Sequence, residues 1–233
     1  MSSHISSKTV QKVIPLSAYY LGTMAGGAAD CSVMLRCLRG YCLEGIWFGS
    51  GGVGDGTSLE SPTFRQRTEL RNIEQGIGGG PSLSALSQKL SSALYSRRDA
   101  GDGGMSVGTM LCGFAPTSIP QIFYVDSQGS IEEGGCFAVG SGGEYALGVL
   151  DKFLRHDCSS TGAGRGAIPP GPPVLESVGE AVKFGVEAIR VAGSRDGYSG
   201  GYCNVYLIQP GLGWRKVWGG DLGKKGWGFE ENT

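Results

Sequence analysis

The chain is poor in the side chains on which most enzyme chemistry rests. Of its 233 residues only two are histidine, His4 and His156, both in polar or loop surroundings. A Cys-His or Ser-His nucleophile pair needs an imidazole beside the nucleophile, and a zinc site draws on the same side chain, so this scarcity argues against both. Charge of one sign is also lacking: 20 Lys and Arg against 21 Asp and Glu leave a formal charge of −1. That balance supplies no electrostatic footprint for nucleic acid or for an anionic membrane surface, and neither is expected as a partner. No apolar run is long enough to span a bilayer, and Met1–Lys12 lacks the apolar stretch of a secretory signal. The cysteines, Cys31, Cys37, Cys42, Cys112, Cys136, Cys158 and Cys203, form no C-x-x-C pair. An odd, scattered set of this kind reads as reduced, mostly buried thiols of an intracellular protein. No metal and no cofactor are expected.

Glycine is abundant instead. Much of the total of 43 lies in Gly45–Gly56, Gly76–Gly80, Gly101–Gly104 and Gly162–Gly171, without a collagen-like period or a repeat. These stretches read as loops inserted into an ordinary globular protein. Between them hydrophobic patterning is clear. The spacing predicts strands over Thr9–Leu16 and Tyr19–Met24, then a helix over Ala28–Tyr41. A second helix follows over Ser82–Tyr95, where Leu83, Leu86, Leu90 and Leu94 recur at three and four and Pro81-Ser82 supplies a start signal. Strands are expected over Met105–Phe114, Gln121–Val125 and Cys136–Val139, with turn chemistry at Asp126–Gly129. Helices over Glu144–Phe153 and along the stripe Val174, Val178, Val182, Val186, Ile189 come next, and a hairpin over Asn204–Gln209 and Trp214–Trp218 closes the pattern. The order implies an α+β fold in which helix pairs cover two packed sheets.

Leu21–Cys31, LGTMAGGAADC, organises the rest: an apolar strand runs into Gly26-Gly27 and a helix opens at Ala28. Glycines at a strand-to-helix junction permit backbone angles forbidden to other residues and leave N–H groups open to an oxyanion or phosphate. The same pair also serves as a plain tight turn with small residues for close packing. A phosphate-binding module is poorly supported, because no G-x-x-x-x-G-K-[ST] or G-x-G-x-x-G stands between a strand and a helix.

Three stretches together are more specific. LGTMAGGAADC at 21–31, VGTMLCG at 107–113 and RDGYSGG at 195–201 resemble, in the same order, proteasome β subunits, most closely the chymotrypsin-like (fifth) type. TVQKVI at 9–14, ELRN at 69–72, YVDSQG at 124–129, FAVGSG at 137–142 and NVY at 204–206 extend the resemblance from about Lys8 to Trp218. It implies the N-terminal-nucleophile hydrolase fold, a four-layer αββα sandwich over 1–233 as a single domain, with Gly-rich insertions at about 43–66 and 156–173. It further implies a threonine-type endopeptidase that cleaves after large hydrophobic residues in ubiquitin-dependent protein degradation. In that family an N-terminal threonine hydroxyl attacks and its own α-amine takes the proton, which makes histidine unnecessary.

Carried over residue by residue, Lys12 matches the active-site lysine and Gly26 the residue whose N–H holds the oxyanion. Asp196 and Ser199 match the polar pair that supports the nucleophile's amine, with Ser141 as a further hydroxyl, and Val10, Met24 and Ala28 match the lining of the specificity pocket. The implied partners are other α and β subunits in stacked seven-membered rings and unfolded polypeptide substrates, in cytoplasm and nucleus. The chain departs from the pattern at its start: eight residues precede Thr9, none is a threonine, and no Asp or Glu occurs before Asp30. The expectation is an N-terminally truncated sequence whose first strands are missing and which is inactive as written, the alternative being a non-catalytic structural β-ring subunit.

Overall fold

The structure is a computed structural model that describes residues 11–44, 80–99, 104–114, 119–156 and 177–223. The chain divides into two compact units. The first comprises Gln11–Gly134 with Ile208–Trp214; the second comprises Gly135–Leu207 with the described residues from Arg215 on.

The first unit is built on an antiparallel sheet in the order β1 (Val13–Pro15), β2 (Leu21–Thr23), β4 (Val107–Phe114), β5 (Pro120–Val125) and β6 (Ile131–Glu133), with β3 (Ala25–Gly26) also pairing with β4. Strand β4 is central because its alternation matches the pleat: Val107, Thr109 and Leu111 are all buried. Helices α1 (Ala28–Glu44) and α2 (Leu83–Asp99) cover it. Leucines of α2 at 83, 86, 90 and 94 are essentially fully buried, as their spacing predicts, and meet Met34, Leu35 and Leu38 of α1 in one core with Phe123 and Val125. Ser82 starts α2 by accepting the Ala85 N–H at 3.1 Å.

One expected strand is misplaced. The sequence points to Cys136–Val139, whereas the strand forms at Ile131–Glu133. The turn decides this. Asp126 Oδ1 accepts the N–H groups of Gln128 and Ser130, both at 2.8 Å, and reverses the chain so tightly that pairing resumes at once as Val125↔Ile131, Tyr124↔Glu132 and Phe123↔Glu133. The exposed, acidic 131–133 segment thus takes the edge of β5, and the more apolar 136–139 follows as irregular chain.

The second unit contains α3 (Gly143–His156), α4 (Val178–Arg195) and most of the hairpin β7 (Tyr202–Gln209) and β8 (Gly213–Asp221). Ser177 caps α4 by accepting the Glu180 N–H at 3.1 Å. The expected stripe on α4 needs correction. Val182 and Val186 are buried, but Val178 and Ile189 are each 44% exposed. Two different faces are covered instead: Ala188 and Ala192 pack with Ala146 of α3, while Val182 and Val186 pack with Cys203 of the hairpin. The line between those faces stays open. Residue Val174, most of both Gly-rich stretches and Arg67–Ile73, where the sequence resumes helical polarity, lie outside the described residues. No described helix is long and apolar enough to cross a membrane.

Candidate active site

In the first unit four of the matched residues cluster around the start of α1. Val13 pairs with Thr23, which places Lys12 opposite Met24, and the Met24 N–H donates to the Lys12 carbonyl at 2.8 Å. Lys12 is exposed and Met24 half-buried against the core, where the Ser32 hydroxyl approaches the Met24 sulfur at 3.6 Å. Gly26 is exposed and adopts φ +99°, and a Cβ there would lie 2.6 Å from the Ser106 carbonyl oxygen. Only glycine meets both conditions without strain. Ala28, exposed, is the first residue of α1.

The ladder bond at this turn is made by the neighbour. The Gly27 N–H donates to Ser106 O at 2.7 Å, flanking the Gly26↔Val107 pair, so that pair is of the kind that exchanges no bond of its own. The Gly26 N–H is therefore left at an exposed helix start, where backbone dipoles favour negative charge. Cys31, fully buried, donates its thiol to the Ala25 carbonyl at 3.0 Å, and burial pushes its pKa up, against smaller lowering effects from backbone groups and from Lys12. It therefore stays a thiol at neutral pH and is no nucleophile. Val10 lies outside the described residues.

In the second unit the other three matched residues meet. Asp196 ends α4, its N–H donating to Ala192 O at 2.8 Å. Its Oδ2 accepts the hydroxyls of Ser199 at 2.5 Å and Ser141 at 2.6 Å, and its Oδ1 accepts the Tyr198 N–H at 3.2 Å. These donors, Ser141 foremost and Ser199 next, hold the carboxyl below the usual carboxylate range. Gly142 makes the cluster possible: a Cβ there would lie 2.7 Å from the Ser199 hydroxyl. Each serine proton is committed to the carboxylate, so each hydroxyl oxygen presents lone pairs and acts as an acceptor. Such a group suits a neighbouring amine and does not by itself make a serine nucleophile. Among the described residues no group of His, Cys, Asp and Glu is placed to hold a metal ion.

Two residues escaped the sequence reading. Asp30 Oδ2 accepts the Ser106 N–H at 3.0 Å, across 76 residues of sequence. An acidic residue in the first turn of a helix is a visible signal, but it points to the helix dipole and not to a distant strand.

Comparison with known proteins now decides the family. The model described as "Proteasome subunit" matches residues 46–167, more than half of the chain. The chain belongs to the proteasome subunit family. It is 37% identical over 215 residues to proteasome subunit beta type-5 of Gallus gallus, covering 92% of this chain and 64% of that protein. It is 35% identical over 223 residues to the same type from Spinacia oleracea, covering 96% and 63%, and 34% identical over 215 residues to proteasome subunit beta type-8 of Homo sapiens, covering 92% and 59%. The chain thus spans less than two thirds of the length of these relatives. As a proteasome-family chain it carries the α+β layout of helices on antiparallel sheet described above.

Proposed function

We propose that the chain serves as a chymotrypsin-like, fifth-type β subunit of the proteasome core, a threonine-type endopeptidase that cleaves unfolded polypeptides after large hydrophobic residues. In this reading the chain has the four-layer αββα fold of N-terminal-nucleophile hydrolases, and its partners are the α and β subunits of stacked rings in cytoplasm and nucleus, acting in ubiquitin-dependent degradation. Lys12 lowers the pKa of the attacking group, the Gly26 N–H holds the oxyanion, and the Ser141–Asp196–Ser199 cluster receives the nucleophile's amine. Val10, Met24 and Ala28 line the pocket for the substrate's apolar side chain, where small Ala28 beside flexible Met24 leaves room.

The observation that carries the reading is the Gly26 turn. It offers an N–H at an exposed helix start, two residues beyond Met24, whose own N–H bonds the Lys12 carbonyl, in a chain of this family. The greater length of the relatives supports a catalytic threonine carried on a chain longer than these 233 residues. Intact mass and N-terminal sequencing of the endogenous protein test this directly. A mature chain that begins at threonine, in a particle that cleaves fluorogenic peptides after large apolar residues, bears out the proposal. A mature chain without that threonine makes the subunit a non-catalytic ring member.

A further inference from the structure

The groups around Gly26 show what holds its turn in place. Ser106, the residue just before β4, is gripped from both sides: its carbonyl accepts the Gly27 N–H at 2.7 Å and its N–H donates to Asp30 Oδ2 at 3.0 Å. Residues 27 and 30 both lie in one helical turn, closed by the Cys31 N–H donating to Gly27 O at 2.9 Å. The helix start and the Ser106 peptide therefore form a short loop of bonds: Gly27 to Ser106, Ser106 to Asp30, and Asp30 through the helix turn back to Gly27. Gly26 lies against that loop, its Cα packed so closely on the Ser106 carbonyl that no Cβ fits. A closed set of bonds matters for Gly26 because its positive φ is not self-supporting; the surroundings must impose it.

We propose that Asp30 is a positioning residue, which fixes the direction of the Gly26 N–H by anchoring the Ser106 backbone against the start of α1. It touches no reacting atom itself. Its effect on catalysis rests on the function proposed above, whereas its effect on the turn does not. The simpler role for an acid in the first turn, a favourable charge at the helix N-terminus, is separable. A dipole partner works through its charge, so Asp30→Asn and Asp30→Ala lose it alike. An anchor works through an oxygen at one place, which Asn retains.

The test is amide hydrogen exchange on the full chain in its assembled particle, read over residues 24–31 and 104–109, for the native protein, Asp30→Asn and Asp30→Ala. The expected result for Asp30→Ala is exchange about tenfold faster or more at Gly27 and Ser106. Residues 32–44 of α1 should change less than about twofold, and Asp30→Asn should recover most of the protection. The matching kinetic signature is a fall in kcat of about tenfold or more with KM nearly constant, because an oxyanion donor acts in the transition state. Equal effects of Asn and Ala, spread along all of α1, would overturn the anchor in favour of a dipole role. So would unchanged exchange at Gly27 and Ser106. A native particle silent at this subunit would sink the enzyme reading alone, and exchange would then decide the anchor by itself.

Discussion

The two units solve the problem of holding a site in opposite ways. In the first, sixteen of the described residues form one continuous buried core, and the group proposed to hold the oxyanion, the Gly26 N–H, is a backbone atom hung on its edge. In the second, the described residues bury two small clusters, three residues each, on either side of α4, and the groups of interest are side chains of two loops that hold one another. A backbone group can be aimed only by packing and by the bonds of its neighbours, so it needs the rigid unit. A carboxylate between two hydroxyls sets its own geometry through strong, charge-assisted bonds and tolerates a looser support.

Core truncation should expose the contrast most strongly. Leu86 is fully buried beneath α1 and the sheet, and Leu86→Ala should cost about 3–5 kcal/mol in a denaturant melt. Val186 sits in the smaller cluster beside the hairpin and loses fewer atoms, so Val186→Ala should cost about 1–2 kcal/mol. Equal costs would mean that the second unit is as tightly packed as the first, and the comparison would fail. Next comes Gly26→Ala. A methyl group 2.6 Å from a backbone oxygen, on a residue at φ +99°, must rotate the turn, which redirects the N–H. The expected outcome is a loss of about 100-fold in kcat/KM for peptide cleavage by the assembled particle. The stability loss should be only about 1–3 kcal/mol, within the range of a single strained residue. Activity that survives within a few fold would remove Gly26 from the chemistry.

How far these features could be read beforehand follows the same division. The core helix α2 was plain in the sequence because Leu83, Leu86, Leu90 and Leu94 repeat at the helical period and Ser82 marks its start by its chemistry, whereas the Ser177 cap of α4 was not read. The turn at Asp126 was recognised, but not that it would seat acidic Ile131–Glu133 on a strand edge; pairing register is set by the turn, and apolar content misleads there. On α4 the periodicity showed an apolar stripe without showing which part another element would cover, hence exposed Val178 and Ile189. The Ser141–Asp196 bond joins residues 55 apart, and Asp30–Ser106 joins residues 76 apart. Local spacing contains neither. A resemblance named the members of the first without giving their bond, and the second was missed.

The Asp196 cluster gives a subtler, pH-dependent effect. Its folded carboxyl titrates below the ordinary carboxylate value of about 3.9, so the group adds stability that is fully present above that pH and fades as pH falls through the lower folded value. Ser141→Ala removes the largest cause and should move the Asp196 carboxyl back toward its ordinary range in an NMR titration, with Ser199→Ala second. Neither substitution should alter the melt at neutral pH by as much as Leu86→Ala. An Asp196 titration indifferent to both hydroxyls would mean that the cluster does not set its own geometry.

The smallest effect sharpens the comparison from the other side. A looser unit should leave helix positions whose glycines are not required by packing. Gly148 on α3 and Gly185 on α4 meet this description, since a Cβ at either would find nothing within 4 Å among the described residues. Glycine in a helix interior is disfavoured through the entropy of the unfolded chain, so Gly148→Ala and Gly185→Ala should each stabilise by about 0.5–1 kcal/mol. At two sites on different helices the gains should nearly add. By contrast, alanine at Gly22 in the first unit would meet the Leu35 side chain at 2.6 Å and should destabilise. Opposite signs for one substitution type, read in one thermal melt series, would show that glycine serves close packing at Gly22 and fills open helix surface at Gly148 and Gly185. The same sign in both would show that the difference between the units lies elsewhere than in how tightly their helices are packed.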